Sequence, residues 1–274
     1  MAMHVNSTAN RAVRRPAVAG LFYPEDPDEL RAFILDALND RRISSHPSMA
    51  ARAYVVPHAG YIYSGAIAAA AYAQIQRSAS RIKRVVLIGP SHRVFLRGAA
   101  VPVHDAFQTP LGEVLIDRDI RNELVRSGLA ANSDVPHAQE HCLEVQLPFL
   151  QVILGQFTLV PIVLGNANAQ DVSRIIAACD QDPSTLILAS SDMSHYHAYA
   201  EAQRIDAATI GAILRLDTHL VGEQACGAVA INGLNQFARD QSLSVSEIAH
   251  CNSGDTAGDR ARVVGYASFA YGQA

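Results

Sequence analysis

The 274-residue chain carries a formal charge of −4 at pH 7, with 49% hydrophobic and 18% charged residues. That balance suits one α/β domain with a sizeable core, or at most two tightly merged halves, and offers no basic field for nucleic acid or anionic lipid. No apolar run approaches the ~20 residues needed to cross a bilayer, and the opening MAMHVNSTANRAVRR lacks a hydrophobic signal core, so a cytoplasmic location and no membrane contact are expected.

In chain order, residues 1–12 are expected to form a disordered tail and 13–274 a single domain. Arg14 and Arg15 with Arg11, and later Arg41 and Arg42, read as solvated basic pairs. PEDPDE (24–29) reads as a turn into a helix over 30–38. AYVVPH (53–58) reads as a short buried strand, followed by a Gly-rich turn and an alanine-rich helix over 64–76. RVVLIGPSH (84–92), FTLVPIVLG (157–165) and TLILASSD (185–192) repeat the β-branched apolar theme, each ending in a turn. Helices are predicted over 117–127, 144–154, 168–179, 198–216 and 227–239. In the fourth of these Ile205, Thr209, Ile213 and Leu216 share one face. CNSGDTAGD (251–259) has the composition of a loop, and RVVGYASFAYG (262–272) of a final strand. Alternating strands and helices imply an α/β fold with a mostly parallel or mixed central sheet and helices on both faces. In such sheets ligands bind beyond the carboxyl ends of the strands.

Three of the apolar runs end in chemistry. VVPH ends at His58, VVLIGPSH at His92, and LILASSDMSH at Asp192 and His195. A single histidine is more often a hydrogen-bonded structural residue than a ligand, but three at equivalent strand ends point to one rim. Gly60 and Gly65 bracket Tyr61 and Tyr63, and Gly89–Pro90 sets the exit of the second strand. Neutral imidazoles suit zinc, copper, iron or nickel, and an open coordination position makes such a site reactive. Candidates for the anionic ligand are Asp192, Glu140, Glu144 and the thiolate of Cys226; alternatively, Asp192 orients the His195 ring from behind. HAQEHCLEVQLPF (137–149) places His137, Glu140, His141 and Glu144 around a helix start. If helical, Glu140 and Glu144 share a face, which otherwise reads as a solvated acidic edge.

The four cysteines, Cys142, Cys179, Cys226 and Cys251, have no CxxC spacing and suit reduced cytosolic thiols. Cys179 reads as packing. Cys226, in EQACGAVAI, opens a helix whose N-terminus favours a thiolate, although alone it too reads as packing.

The blocks RRPAVAGLFYP (14–24), VPHAGYIYSG (56–65), LIGPSH (87–92), FQTPLGEVLID (107–117), EHCLEVQLPFL (140–150), VPIVLG (160–165), SSDMSHY (190–196), ACGAVAI (225–231) and CNSGDTAGDRARVVGYASFAYG (251–272) together resemble the Memo family, known in bacteria and archaea as AmmeMemoRadiSam system protein B. The resemblance runs nearly end to end, making 13–274 a Memo-like domain. It implies a fold similar to class III extradiol dioxygenases, which cleave aromatic rings with non-haem Fe(II). It implies metal positions at His58, His92 and Cys226, with Asp192 and His195 in the same pocket. His195 then resembles the catalytic acid–base, and His141 a further pocket histidine. A thiolate replaces the carboxylate of those dioxygenases, which favours copper or zinc and is itself oxidisable.

The resemblance implies one transition metal ion, iron or copper with zinc as the alternative, and a small-molecule substrate of unknown identity. It also implies a homodimer, and a protein partner in a radical-SAM-linked pathway. Three functions compete: a metal-dependent redox enzyme, dioxygenase-like; a metal-dependent hydrolase on a His₂Cys site with Glu140 or His195 as base; and a non-catalytic ligand- or peptide-binding module.

Overall fold

The computed structural model describes residues 11–40 and 50–273. Most of the expected disordered tail (1–10) and the Arg41–Arg42 pair lie outside the described residues. The elements are β1 (Val13–Arg14), α1 (Pro27–Leu38), β2 (Ala50–Val56), α2 (Tyr61–Gln76), β3 (Arg84–Pro90), β4 (Ala99–Val101), β5 (Ala106–Thr109), β6 (Gly112–Ile116) and α3 (Arg118–Arg126). There follow β7 (Ala131–Asn132), α4 (Leu147–Leu154), β8 (Thr158–Leu164), α5 (Ala169–Cys179), β9 (Thr185–Ser190), β10 (His195–His197), α6 (Tyr199–Leu214), α7 (Ala228–Asp240), β11 (Ser244–Asn252) and β12 (Val263–Gln273).

The predicted sheet is present and mixed. Its parallel centre runs β6-β8-β3-β9-β2. On one side β5 pairs antiparallel with β6, and β1 joins β5. On the other, β12 is antiparallel to β2 through Phe269–Gln273, to β11 along most of its length, and to β10 through Val263 and Val264. The central strands read as continuous apolar runs because parallel strands are covered on both faces. Successive residues part to opposite faces: Val86 and Ile88 join one core with α3, α5, α6 and α7, while Val85 and Leu87 join the other with α1, α2 and α4. The Tyr72 and Phe149 rings stack at 4.7 Å in the second core. Among the described residues no helix is long and apolar enough to cross a membrane.

Local chemistry explains several shifted boundaries. α1 starts earlier than predicted because Asp26 accepts hydrogen bonds from the Asp28 and Glu29 amides, with Pro27 in the first turn. α6 buries Thr209 and Ile213 as expected but stops at Leu214; Leu216 lies beyond it with φ 55°. The stretch read as a loop at 251–259 begins inside β11, then closes in a 3-10 turn at Ser253–Asp255 under a reciprocal Asn252–Asp255 capping box.

Arg14, expected to be solvated, is buried at 3% exposure, paired with the carboxylate of Glu144. Glu144, read as part of a solvated acidic edge, is fully buried, and so is Glu140 at 2%. The two carboxylates do not share a helix face. Glu140 sits in an irregular turn and Glu144 opens a 3-10 turn before α4.

α5 and α7 pack against each other through Gly233: a Cβ there would lie 2.1 Å from Val172 Cγ1 and 2.3 Å from Val172 Cβ. In an exposed helix a Gly→Ala change gains about 1 kcal/mol of propensity. Here overpacking costs about 1–3 kcal/mol, because Val172 Cβ is fixed to its backbone and cannot rotate away. Gly233→Ala is therefore expected to lower the unfolding free energy in urea, and a gain would show that the helices are not in close contact.

Candidate metal centre

Because β2, β3 and β9 are parallel neighbours, with Val56 level with Ser190 and Ile88 level with Ala189, their carboxyl ends open onto one rim. His58, His92, Asp192 and His195 follow those ends. The His58 and His92 rings meet edge to face at 5.2 Å. His141, from the turn before α4, completes a triangle with centroids 5.4 Å from His58 and 4.8 Å from His92. One ring nitrogen from each of the three lies within 4.8 Å of the others. The third imidazole of this group, His141, comes from no strand end.

Hydrogen bonds fix how two of these rings present themselves. The Ser190 hydroxyl donates to the Cys142 carbonyl at 2.7 Å and accepts from Gln146 Nε2 at 2.9 Å. Its one proton is spent, so at 2.9 Å from His58 Nδ1 it accepts the Nδ1–H, which leaves Nε2 unprotonated and facing the Cys226 sulfur. Glu140 does the same for His92, with Oε1 2.9 Å from Nδ1 and Oε2 2.7 Å from the His92 amide. Glu140 also accepts the amides of His141 and Cys142 at 2.9 and 3.1 Å. Burial works against its charge, but the adjoining His141 and His92 rings outweigh burial and hold the carboxyl far below the usual range. Glu140, weighed above as a metal ligand, is thus saturated by donors, and Glu144 is taken up by Arg14. Nδ1 of His141 is buried 3.2 Å from Glu140 Oε1 but off its hydrogen-bonding direction.

Burial, with the neighbouring His92 and His141 rings, pushes His58 well below the ordinary imidazole range. A neutral ring with its remote nitrogen held by a partner and its other lone pair free is the form that ligates a metal. The donor set therefore fits a divalent transition ion.

Cys226 Sγ lies 3.2 Å from His58 Nε2 and accepts the Asp192 amide at 3.3 Å, while lying outside the three-imidazole group. Gly227, at the start of α7, is required for this approach, since a Cβ there would meet Ser190 O at 2.6 Å. The expected preference for thiolate is reversed: burial and the Asp192 carboxylate push the Cys226 thiol up to about 12, overriding the helix N-terminus. Cys179 is buried packing, as expected.

Asp192 is turned differently from the expectation that it orients His195. Its Oδ1 accepts the amides of His58 at 2.7 Å and Ala59 at 3.3 Å, fastening the β2 exit. Burial nevertheless raises its carboxyl to about 6 against those bonds. His195 lines the same cleft of about 830 Å³, and burial keeps its ring neutral by lowering its pKa.

Phe22, Tyr63, Tyr196 and Tyr266 also line the cleft, with Arg93 and Arg262. Phe22 packs on His141 at 4.8 Å, and Tyr196 carries a positive φ of 63° beneath the Arg262 guanidinium. Sequence reasoning gave no role to Ser190, Gln146 or Phe22, and read Arg14 as solvated. All three stood inside quoted blocks, but their types and spacing announce no role: Gln146 lies among apolar residues and Ser190 at the end of a buried strand.

The profile of the family described as Memo-like protein matches residues 14–270. The chain is 38% identical over 268 residues to MEMO1 family protein Ta0237 of Thermoplasma acidophilum, covering 93% of this chain and 97% of that one. It is 37% identical over 266 residues to a MEMO1 family protein of Aquifex aeolicus, with 93% and 97% covered. A solved structure, the uncharacterized protein JW3007 from Escherichia coli K12, overlaps 79% of this chain and 98% of its own at 12% identity and a TM-score of 0.48, too slight a likeness to bear on fold or function.

His137, behind this site, donates Nε2–H to Ala100 O at 3.1 Å and has Nδ1 buried without a partner. Burial lowers its pKa to about 4. Between pH 6.5 and 4 the unfolded chain binds a proton there that the folded chain refuses, so stability falls as pH falls through that window, by about 3 kcal/mol from this ring. Urea melts of wild type and His137→Gln across pH 4–7 should converge toward low pH. A constant gap between them would contradict the assignment.

Proposed function

The chain belongs to the Memo family, and we propose that it is a metal-dependent redox enzyme, dioxygenase-like, acting on a small molecule in the cleft. His58 and His92 hold iron or copper, and Cys226 and His141 are the remaining donors. The observation that carries this reading is the cluster of three imidazole nitrogens within 4.8 Å of one another, two of their rings oriented from behind by Ser190 and Glu140.

The sulfur of Cys226 lies 3.2 Å from His58 Nε2, nearer than Asp192 Oδ2 at 4.0 Å, and the Glu140 carboxylate is already engaged by hydrogen bonds. Sulfur with imidazole suits copper and iron as well as zinc. When bound, iron or copper would supply one-electron chemistry and activate dioxygen. His195, neutral at the cleft wall, takes up a proton from the substrate. Asp192, with its pKa near 6, holds the His58 backbone and supplies a titrating group beside it. Phe22, Tyr63 and Tyr266 narrow the cleft against water. The same imidazoles suit zinc, which would make the cleft hydrolytic.

Protein purified without chelator or affinity metal should retain iron or copper, lost in His58→Ala and His92→Ala and diminished in Cys226→Ser. Fe(II)-loaded protein should consume O₂ with members of a phenolic panel. Zinc alone with ester or amide turnover would replace the redox reading with the hydrolytic one. Wild type holding no more metal than His58→Ala would sink the metal centre altogether.

Glu140→Gln keeps the shape but removes the charge that receives His92 Nδ1–H. Metal affinity by calorimetry is expected to fall about 10–100-fold, as for other residues that orient a ligating histidine. Unchanged affinity would mean that His92 is not a ligand.

A further inference from the structure

Arg14 lies in β1, more than 120 positions from the turn that carries Glu140 and His141, yet its guanidinium is where that turn is held. Nη2–H donates to the Glu140 carbonyl at 2.6 Å, Nε–H donates to the His137 carbonyl at 2.9 Å, and Nη1 pairs with Glu144. The Phe107 ring lies under the guanidinium, 5.0 Å from its carbon. Glu144 in turn accepts the Ala17 and Val18 amides at 2.8 and 3.0 Å and the Tyr23 hydroxyl at 2.7 Å. Both side chains are at 2% exposure or less. From His137 to Leu143 the backbone forms irregular turns rather than a helix or strand, closed by the Ala138 amide on the Asp134 carbonyl at 2.9 Å and the Glu140 amide on the His137 carbonyl at 3.3 Å; the buried Glu140 carbonyl finds its donor on Arg14.

We propose that Arg14 is a positioning residue of the metal centre: its donors on the His137 and Glu140 carbonyls set where the Glu140 carboxylate meets His92 and where His141 stands beside His58. This rests on the metal-centre reading above. Arginine is required because its planar fork donates in three directions at once. A lysine ammonium satisfies Glu144 from one point and cannot also span both carbonyls. If Arg14 served only to neutralise Glu144, lysine would suffice.

The test compares Arg14→Lys with Arg84→Lys, a control in which the altered arginine pairs with Asp117 and Asp182 at the opposite end of β3. Co(II) is titrated into the full chain by visible absorption, and the ring ¹⁵N shifts of His92 are recorded on metal-free protein. Arg14→Lys is expected to bind Co(II) at least ~10-fold more weakly and to move the His92 Nδ1 signal, with a melting temperature close to that of the control. Wild-type Co(II) affinity together with unchanged His92 shifts would overturn the proposal.

Should wild type itself bind no Co(II), the metal reading fails. The shifts then still judge Arg14, and unchanged shifts in Arg14→Lys reject its role. If Arg14→Lys does not fold, the double variant Arg14→Met/Glu144→Met removes the buried pair together and is put through both measurements. The same losses are expected, and wild-type values refute the assignment.

Discussion

A carboxylate buried without donors is among the most costly things a fold can contain, and this chain buries two carboxylates four residues apart that must be supplied with them. Glu140 and Glu144 must be met by N–H groups, and the architecture around the cleft follows from how that is done. Glu140 draws the His92 ring and amide and the amides of His141 and Cys142 around itself. Glu144 draws Arg14, the Ala17 and Val18 amides and Tyr23. One short turn thereby ties the N-terminal strap to the end of β3.

The sheet supplies the stage for this arrangement. Parallel pairing of β2, β9 and β3 in level register brings three strand exits to one edge. The end of β9 then serves two masters: Ser190 holds the His58 ring, and its carbonyl lies against Gly227 at the start of α7, which brings Cys226 next to His58. Gln146, anchored by the Tyr72 hydroxyl, closes the circuit by donating to both Ser190 and the Pro57 carbonyl. Around Ser190 and Gln146 the polar groups are therefore satisfied as a network, which is the condition for such a network to be rigid, whereas His141 Nδ1 is left without a partner.

Burial favours the neutral forms of four ionisable side chains around the cleft. Burial lowers His58 and His195 and raises Asp192 and Cys226. Glu140 is the exception, held charged by its donors. The neutral His58 ring and the neutral Cys226 thiol beside the Glu140 anion form an environment that positive charge would stabilise. Filling it with a cation would release the thiol proton, coupling metal uptake to pH.

Taken alone, the sequence determined the α/β class, the parallel strands and the convergence of His58 and His92. These are legible because apolar runs, their periodicity and their turn residues are local signals, and because parallel strands must present their carboxyl ends together. It also marked Cys226 and His195 as cleft residues through the family's ordered blocks. Tertiary structure alone decided that His141, expected as a further pocket histidine, is the imidazole grouped with His58 and His92, that Asp192 faces the β2 exit, and that Arg14 and the two glutamates are buried. Charge and helical spacing describe a residue's neighbours along the chain, whereas the Arg14–Glu144 pair joins positions 130 residues apart. Whether a charged side chain is solvated or enclosed is settled by the donors that folding brings to it, and no local pattern encodes them.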